Sequence, residues 1–550
     1  MGSHGRTAAI RSCSQFRVKY PGIDWTTTLV HPFGVNEVAD ETLLTLPARQ
    51  GQSAGIAFPA MTGGVRLLVF AVFLFGCASS QLHSILHHDP AWLIHGTKIF
   101  LDGGKLYRDV FELNPPLIFY LTVAPVWVAR QLHLFEVDVF VLYVFALIAL
   151  SLWVSWLLSR DDTALPSRTR DCMLIAAAVA LALCPADNFG QREHIMVVLS
   201  LPYLLLAVRR ARSLPCLQCL ALATGAMAAF GFALKPHFML IPFAVECYII
   251  LRTRTARRIL RTETMALGAL VLLYLAVIAL FTPDYLTTIV PFGLAVYEGG
   301  FDSPLLAVLA CPATLLLPIL LALHIASRRS HVGTEHGDVF CVAAVCFFVV
   351  YAVQMKGWSY QAYPVNATLF LGIAIVFARL LNAPRLPLLT VAVALLLVLT
   401  VANDGSRRYR NAFMTEMAPL VTALPPGSSI YVFTAQVSEA FPMVNYAGVG
   451  WSSRFDTFWL LPGLVRQPAP SREIEQFMRD AVVEDLTRQP PALIFVDVAR
   501  YKVYFGDRDF DYISYFSADP RFATIWTGYQ PLTRAGHFLV FRQRVSGTAL

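Results

Sequence analysis

The chain has 550 residues, 56% of them hydrophobic and 14% charged, with a formal net charge of +7. A soluble domain carries about 25% charged residues, so a wholly soluble protein is excluded. The basic residues are scattered among loops between apolar runs. That pattern fits cytoplasmic loops facing anionic lipid and argues against a nucleic-acid partner.

Residues 1–60 are polar and aperiodic, with neither the apolar core nor the cleavage site of a signal peptide. They read as a disordered cytoplasmic extension, with Met61 as an alternative start. Apolar runs near the ~20 residues that span hydrocarbon then recur from Val65 to Ala402. Spans are predicted over 65–82, 138–158, 172–186, 195–208, 216–233, 237–251, 264–282, 304–326, 338–354, 363–379 and 386–402. None of the ten cysteines follows Cys346, and Cys216-Leu217-Gln218-Cys219 has no second pair to make a metal site.

The segment 116–130 is also apolar, and whether it crosses decides the topology. If it does not, Arg160, Arg168, Arg170, Arg209, Arg210, Arg212, Arg252, Arg254, Arg257, Arg258, Arg261, Arg328, Arg329, Arg379 and Arg385 fall on one side. They outnumber Lys98, Lys105, Arg108, Arg192, Lys235 and Lys356 on the other. The positive-inside rule therefore favours a non-crossing or re-entrant 116–130, and Pro115-Pro116 and Pro125 suit a broken helix. The expectation is an α-helical polytopic membrane protein with about eleven crossings, a membrane domain over 61–402 and the amino end inside.

After Asn403 the pattern changes. Ser429–Thr434, Ala492–Asp497 and His537–Arg542 read as strands, and Ser471 caps a predicted helix. This predicts an extracytoplasmic α/β domain over 403–550.

On this topology the unusual polar residues collect at one outer face. They are Asp89, Asp109, Glu112 and Asn114 in the first outer loop, Asp187, Arg192, Glu193 and His194 in the second, then Lys235, Lys356 and Trp358. Carboxylates abstract protons, cations neutralise phosphate, and aromatic faces stack on sugars or bury prenyl chains. Ionisable groups at membrane depth default to function. Asp89 could instead cap a helix, and His83, His87, His88 and Asp89 have spacing for a metal, although a solvated histidine face is the simpler reading.

Four motifs in this order resemble the GT-C class of integral-membrane glycosyltransferases. They are His88-Asp89-Pro90, Gly104-Lys105-Leu106-Tyr107-Arg108-Asp109 leading to Asn114-Pro115-Pro116, Gly190-Gln191-Arg192-Glu193-His194, and Lys356-Gly357-Trp358. The resemblance is to the bacterial branch holding dolichyl-phosphate-mannose mannosyltransferase-like and lipid A core galacturonosyltransferase-like proteins. It covers roughly 65–400, and Phe441–Asn445 and Ser453-Arg454-Phe455 resemble that branch's outer domain. Asn114 departs from the Lys or His that many relatives carry.

The resemblance implies inverting transfer of a sugar from a polyprenyl-phosphate donor to a glycan, lipid or protein acceptor, at the outer face of a bacterial inner membrane. Asp89 and Glu193 would be catalytic, with Asp89 the general base. Asp109, Glu112, Asn114, Asp187, Arg192, His194, Lys235, Lys356 and Trp358 would bind substrate. No metal ligand or cofactor is assigned, and a divalent cation stays open. The competing readings are a lipid or sugar transporter or flippase, and a lipid-linked polysaccharide ligase or polymerase.

Overall fold

The computed structural model describes residues 63–544 except 163–164, 298–299, 329–333, 382–411, 468–469, 503 and 507. The extension over 1–60 and the span over 386–402 lie outside the described residues. In hydrocarbon each backbone polar group must find a partner within the protein, so the apolar runs fold as helices. These are α1 (Gly63–Leu82), α2 (His88–Leu101), α3 (Leu117–Leu132), α4 (Glu136–Ser159), α5 (Ser167–Ala182), α6 (Arg192–Ala211), α7 (Gln218–Phe232), α8 (Leu240–Thr253), α9 (Thr262–Phe281), α10 (Val290–Val296), α11 (Leu305–Leu309), α12 (Pro312–Arg328), α13 (Glu335–Val353) and α14 (Ser359–Leu381).

Four of them, α4, α6, α9 and α13, are long and apolar enough to cross a membrane. Helix α6 is the axis of the bundle, buried on nearly every face and packed against α4, α7, α8, α13 and α14. Helix α9 lies at the periphery and leaves Leu272, Leu273, Leu275 and Phe281 exposed, as a lipid-facing helix would. At the helix ends remote from α2, buried carboxylates are matched by arginine: Arg210 to Glu263 at 2.8 Å, and Arg261 to Glu246.

Two sequence expectations change. The segment 116–130 is one unbroken helix, α3, that runs through Pro125. At ~1.5 Å per residue it is roughly 24 Å long, short of a full hydrocarbon crossing. It packs on α2, where a Cβ at Gly96 would lie 2.8 Å from side-chain atoms of both Phe119 and Val110. The predicted span 304–326 divides into α11 and α12, because Pro312 supplies no N–H and disfavours helix at Cys311. A π-turn, Tyr285–Ile289, continuing into α10 was not anticipated.

The tail carries a five-stranded mixed sheet of order β2-β1-β3-β5-β4. Its strands are β1 (Ser429–Phe433), β2 (Gly450–Trp451), β3 (Leu493–Asp497), β4 (Tyr529–Ala535) and β5 (Phe538–Gln543). Strand β1 runs parallel to β2 and β3, and β5 runs antiparallel to β3 and β4. The three strands read from the sequence are β1, β3 and β5. Helix α15 (Ala412–Thr422) leads into the sheet, and α16 (Arg472–Arg488) starts at Ser471, whose Oγ accepts from Ile474 N at 3.4 Å.

This sheet layer is braced against the first loop. Phe111 N donates to Arg454 O at 2.7 Å, and the Phe111 and Phe455 rings lie 5.0 Å apart. Arg454 Nε pairs with the fully buried Asp485 at 3.0 Å, and Arg488 reaches Asp109 at 2.8 Å.

Candidate active site

A cavity of about 1330 Å³ opens between the first loop, one end of the helices and the sheet layer. The first turns of α2, α6, α8 and α14 contribute to its wall. Helix amino ends carry partial positive charge, which favours an anion there. The α6 turn depends on Gly190 at φ +77°, where a Cβ would meet the Phe140 ring at 2.6 Å. His194 locks the same turn, accepting from Gly190 N at 3.0 Å through Nδ1 while Nε2 pairs with Leu181 O at 2.8 Å.

Asp89 is the second residue of α2. His87 is the N-cap, so the carboxylate does not cap the helix and faces the cavity instead. Its neighbours are Arg192 Nη2 at 3.7 Å and His88 Nε2 at 3.5 Å. Burial opposes ionisation, but His88, His87 and Arg192, with a hydrogen bond from Gln191, hold the Asp89 carboxyl well below the usual range. Burial pushes His87 down to about 3, so its imidazole is neutral at pH 7.

Arg192 also approaches Glu112 at 3.9 Å. Glu112 accepts from Trp92 Nε1 at 3.0 Å and from Asn114 N at 3.0 Å. Asn114 therefore orients Glu112, and Arg192 bridges two carboxylates from different segments. Lys235 pairs with Glu193 at 2.5 Å and lies 5.3 Å from the Tyr360 ring centre. Glu193 itself stays behind the wall, with Oε2 buried and without a hydrogen-bond partner among the described residues. Lys356 pairs with Asp302 at 2.5 Å, donates to Tyr297 O at 3.3 Å and lies 4.7 Å from the Tyr297 ring centre. Trp358 lines the cavity beside Tyr297 and Tyr360.

Of the residues expected at a site, Asp89, Glu112, Asn114, Arg192, Lys235, Lys356 and Trp358 thus share one cavity, with Glu193 directly behind it. Three lie elsewhere. Asp109 braces Arg488, Asp187 sits in the half-buried 3-10 turn Ala186–Asn188, and His194 is spent on backbone. Among the metal candidates, His83, directly after α1, bonds back to Ser79 O at 2.7 Å. His87, His88 and Asp89 do cluster, but Gln191 Nε2 lies 2.9 Å from His87 Nδ1.

Sequence reading did not single out Tyr285, Tyr297, Asp302, Gln436, Asp456 and Tyr504, which also line the cavity. Asp456 is the most unusual. It comes from the sheet layer, is buried, and accepts from Thr457 N at 2.6 Å. Burial, with Glu112 and Asp89 nearby, pushes its carboxyl well above the usual range. The signal for it was a lone acid in the apolar Phe455–Trp459 run, directly after Ser453-Arg454-Phe455.

Part of the lining is apolar. Leu240, Phe243, Leu294 and Val353 line the cavity and are also exposed on the molecular surface. A charged chamber thus continues into a greasy flank.

These features define a multi-pass membrane protein with a GT-C-like fold and a charged cavity beside a small mixed sheet. Two solved structures share that fold. ArnT from Cupriavidus metallidurans bound to undecaprenyl phosphate aligns at TM-score 0.56 and 13% identity, over 88% of this chain and 99% of ArnT. The apo state of ArnT aligns at TM-score 0.53 and 14% identity, over 86% and 97%. No family model and no curated protein matches the sequence.

Proposed function

We propose that the protein is a membrane glycosyltransferase that moves a sugar from a polyprenyl-phosphate donor to an acceptor hydroxyl at the extracytoplasmic face. The observation that carries this reading is the meeting of Lys235, Arg192 and Lys356 with Asp89 in one cavity flanked by exposed apolar side chains. Cations and helix amino ends suit the donor phosphate, and the flank of Leu240, Phe243, Leu294 and Val353 suits its prenyl chain. The binding of undecaprenyl phosphate by ArnT, which has the same fold, supports the lipid class.

In this mechanism the acceptor oxygen attacks the anomeric carbon, the bond from that carbon to the phosphate oxygen breaks, and prenyl phosphate leaves. Inversion follows from a single displacement. Asp89 takes the acceptor proton, a contribution typically worth about 10²–10⁴-fold. A carboxylate paired with Arg192 is a weak base. A phosphate that engages Arg192 relieves that pairing and raises the basicity of Asp89 when the donor is in place. Arg192, Lys235 and Lys356 stabilise the charge that develops on the departing phosphate. Glu193 holds Lys235, and Glu112 holds Arg192. Tyr297, Trp358 and Trp459 offer faces for a sugar ring.

The test has two arms. Purified protein in liposomes is supplied with a labelled prenyl-phosphate sugar, and the released prenyl phosphate is quantified. Lipids from a strain lacking the protein are compared by mass spectrometry. The reading predicts sugar-dependent release in the first arm and an accumulating polyprenyl-phosphate sugar in the second. Translocation of an intact lipid without bond cleavage would instead establish a flippase.

A further inference from the structure

A second cluster of ionisable groups lies in the sheet layer, behind the cavity wall. Glu439 ends the 3-10 turn after β1, Asp497 is the last residue of β3, and His537 sits in the turn between β4 and β5. The register fixes them together: Asp497 pairs with Phe538, and Val498 N donates to His537 O at 3.0 Å. His537 Nε2 lies 3.3 Å from Glu439 Oε1 and 3.8 Å from Asp497 Oδ1. One donor atom from each of the three falls within 4.8 Å of the others.

We propose that Glu439, Asp497 and His537 form a divalent metal site of the zinc class that clips the outer sheet behind the cavity. Ligands about 2.0–2.2 Å from zinc stand roughly 3.3 Å apart in tetrahedral geometry, close to the separations here. One imidazole with two carboxylates is a donor set that zinc accepts. The two carboxylates are almost completely buried, and burying charge is costly unless it is paired or binds metal.

A buried tyrosine feels both carboxylates. Tyr512 is fully buried, and its hydroxyl has no hydrogen-bond partner among the described residues, although Asp497 and Glu439 act on it electrostatically. Other charges face the cluster. Lys502 donates to Ala499 O at 2.5 Å, and Glu416 from α15 packs against Gly536 beside His537. In the metal-free network His537 lies between the carboxylates; burial lowers its affinity for a proton, and the hydrogen bond to Glu439 with the charge of Asp497 outweighs that and raises it. Zinc binding displaces its proton to solvent and takes the nitrogen lone pair.

The site also reaches the cavity. Gln436 lines the cavity and donates to Glu439 Oε1 at 2.7 Å, while Thr434 bonds the other Glu439 oxygen. The metal would fix the 435–438 wall by tying the turn after β1 to the end of β3 and the β4–β5 turn. This inference does not depend on the reaction assigned to the cavity.

The test uses full-length protein in detergent, stripped with a chelator and titrated with Zn²⁺ alone by calorimetry. Wild type is expected to bind Zn²⁺ and to gain thermal stability. His537→Gln and Glu439→Gln should each weaken affinity by about 100-fold or more, since second-shell losses alone cost 10–100-fold. The double variant His87→Ala/His88→Ala should titrate as wild type, which excludes the cluster at α2. X-ray absorption of zinc-loaded wild type should show one imidazole with oxygen neighbours, a readout that survives misfolding of any variant. No binding, loss of binding only in the α2 variant, or a spectrum with sulfur or two imidazoles would overturn the site.

Discussion

The Arg192 guanidinium stands 3.7 Å from the Asp89 carboxylate and ties the first turn of α6 to the first turn of α2. The two helix starts are separated in the chain by α3 to α5, yet both residues share one cavity with Glu112. Their pairing also ranks the substitutions that test the site.

Asp89→Asn removes the carboxylate and keeps the side-chain size. Asp89 is not the N-cap, and Glu112 still faces Arg192 in its absence, so the structural cost is a first-turn dipole contribution of about 0.3–1 kcal/mol together with the loss of one of the two carboxylates beside Arg192. Transfer from a purified prenyl-phosphate sugar should fall by at least about 10²-fold while thermal stability stays near wild type. Near-normal turnover would remove Asp89 from the mechanism and transfer the search for a base to Glu112.

Lys356→Ala takes a cation from the cavity and leaves Asp302 without its partner. Losing a charge-assisted contact of about 1.5–3 kcal/mol should lower donor-dependent turnover roughly 10–100-fold, with Lys356→Arg retaining more. Wild-type kinetics in both variants would mean that Lys356 merely holds Asp302 and Tyr297.

Asp456 gives a pH signature. Its carboxyl is raised well above the ordinary range, so the folded state keeps a proton that the unfolded chain has lost. Stability is therefore expected to fall as pH rises from the ordinary carboxylate range towards the raised value. Asp456→Asn resembles the protonated form and should flatten that fall, raising the melting temperature at pH 7 relative to wild type but not at pH 4. Equal slopes in the two proteins would show that Asp456 is ionised in the folded state.

The side of the membrane can be read by labelling in a cysteine-free background. Glu473 is exposed at the start of α16, and Thr255 is exposed in the loop between α8 and α9. Glu473→Cys should react with an impermeant reagent added outside intact cells, and Thr255→Cys only after lysis. The reverse pattern would invert the topology and place the cavity on the cytoplasmic side.

The sequence by itself determined the membrane class, because runs such as Glu136–Ser159 have no stable alternative to helix in lipid. It also determined β1, β3 and β5, and the Ser471 cap, because these signals are local. Asp89, Arg192, Lys235 and Lys356 were legible for a similar reason. Charges beside apolar runs are costly, and all of them sit where helices begin or end.

Tertiary structure alone decided the rest. Asp109, Asp187 and His194 carry the same chemistry as their neighbours, and only packing assigns Asp109 to Arg488 and His194 to the Gly190 turn. Asp456 joins the cavity because the sheet layer docks through Phe111 and Phe455, which no local pattern encodes. Glu439, Asp497 and His537 are far apart in sequence and meet only through the β1–β3–β5 register. Periodicity and cost of burial are properties of a segment, whereas the environment of a charge is set by whatever the rest of the chain brings beside it.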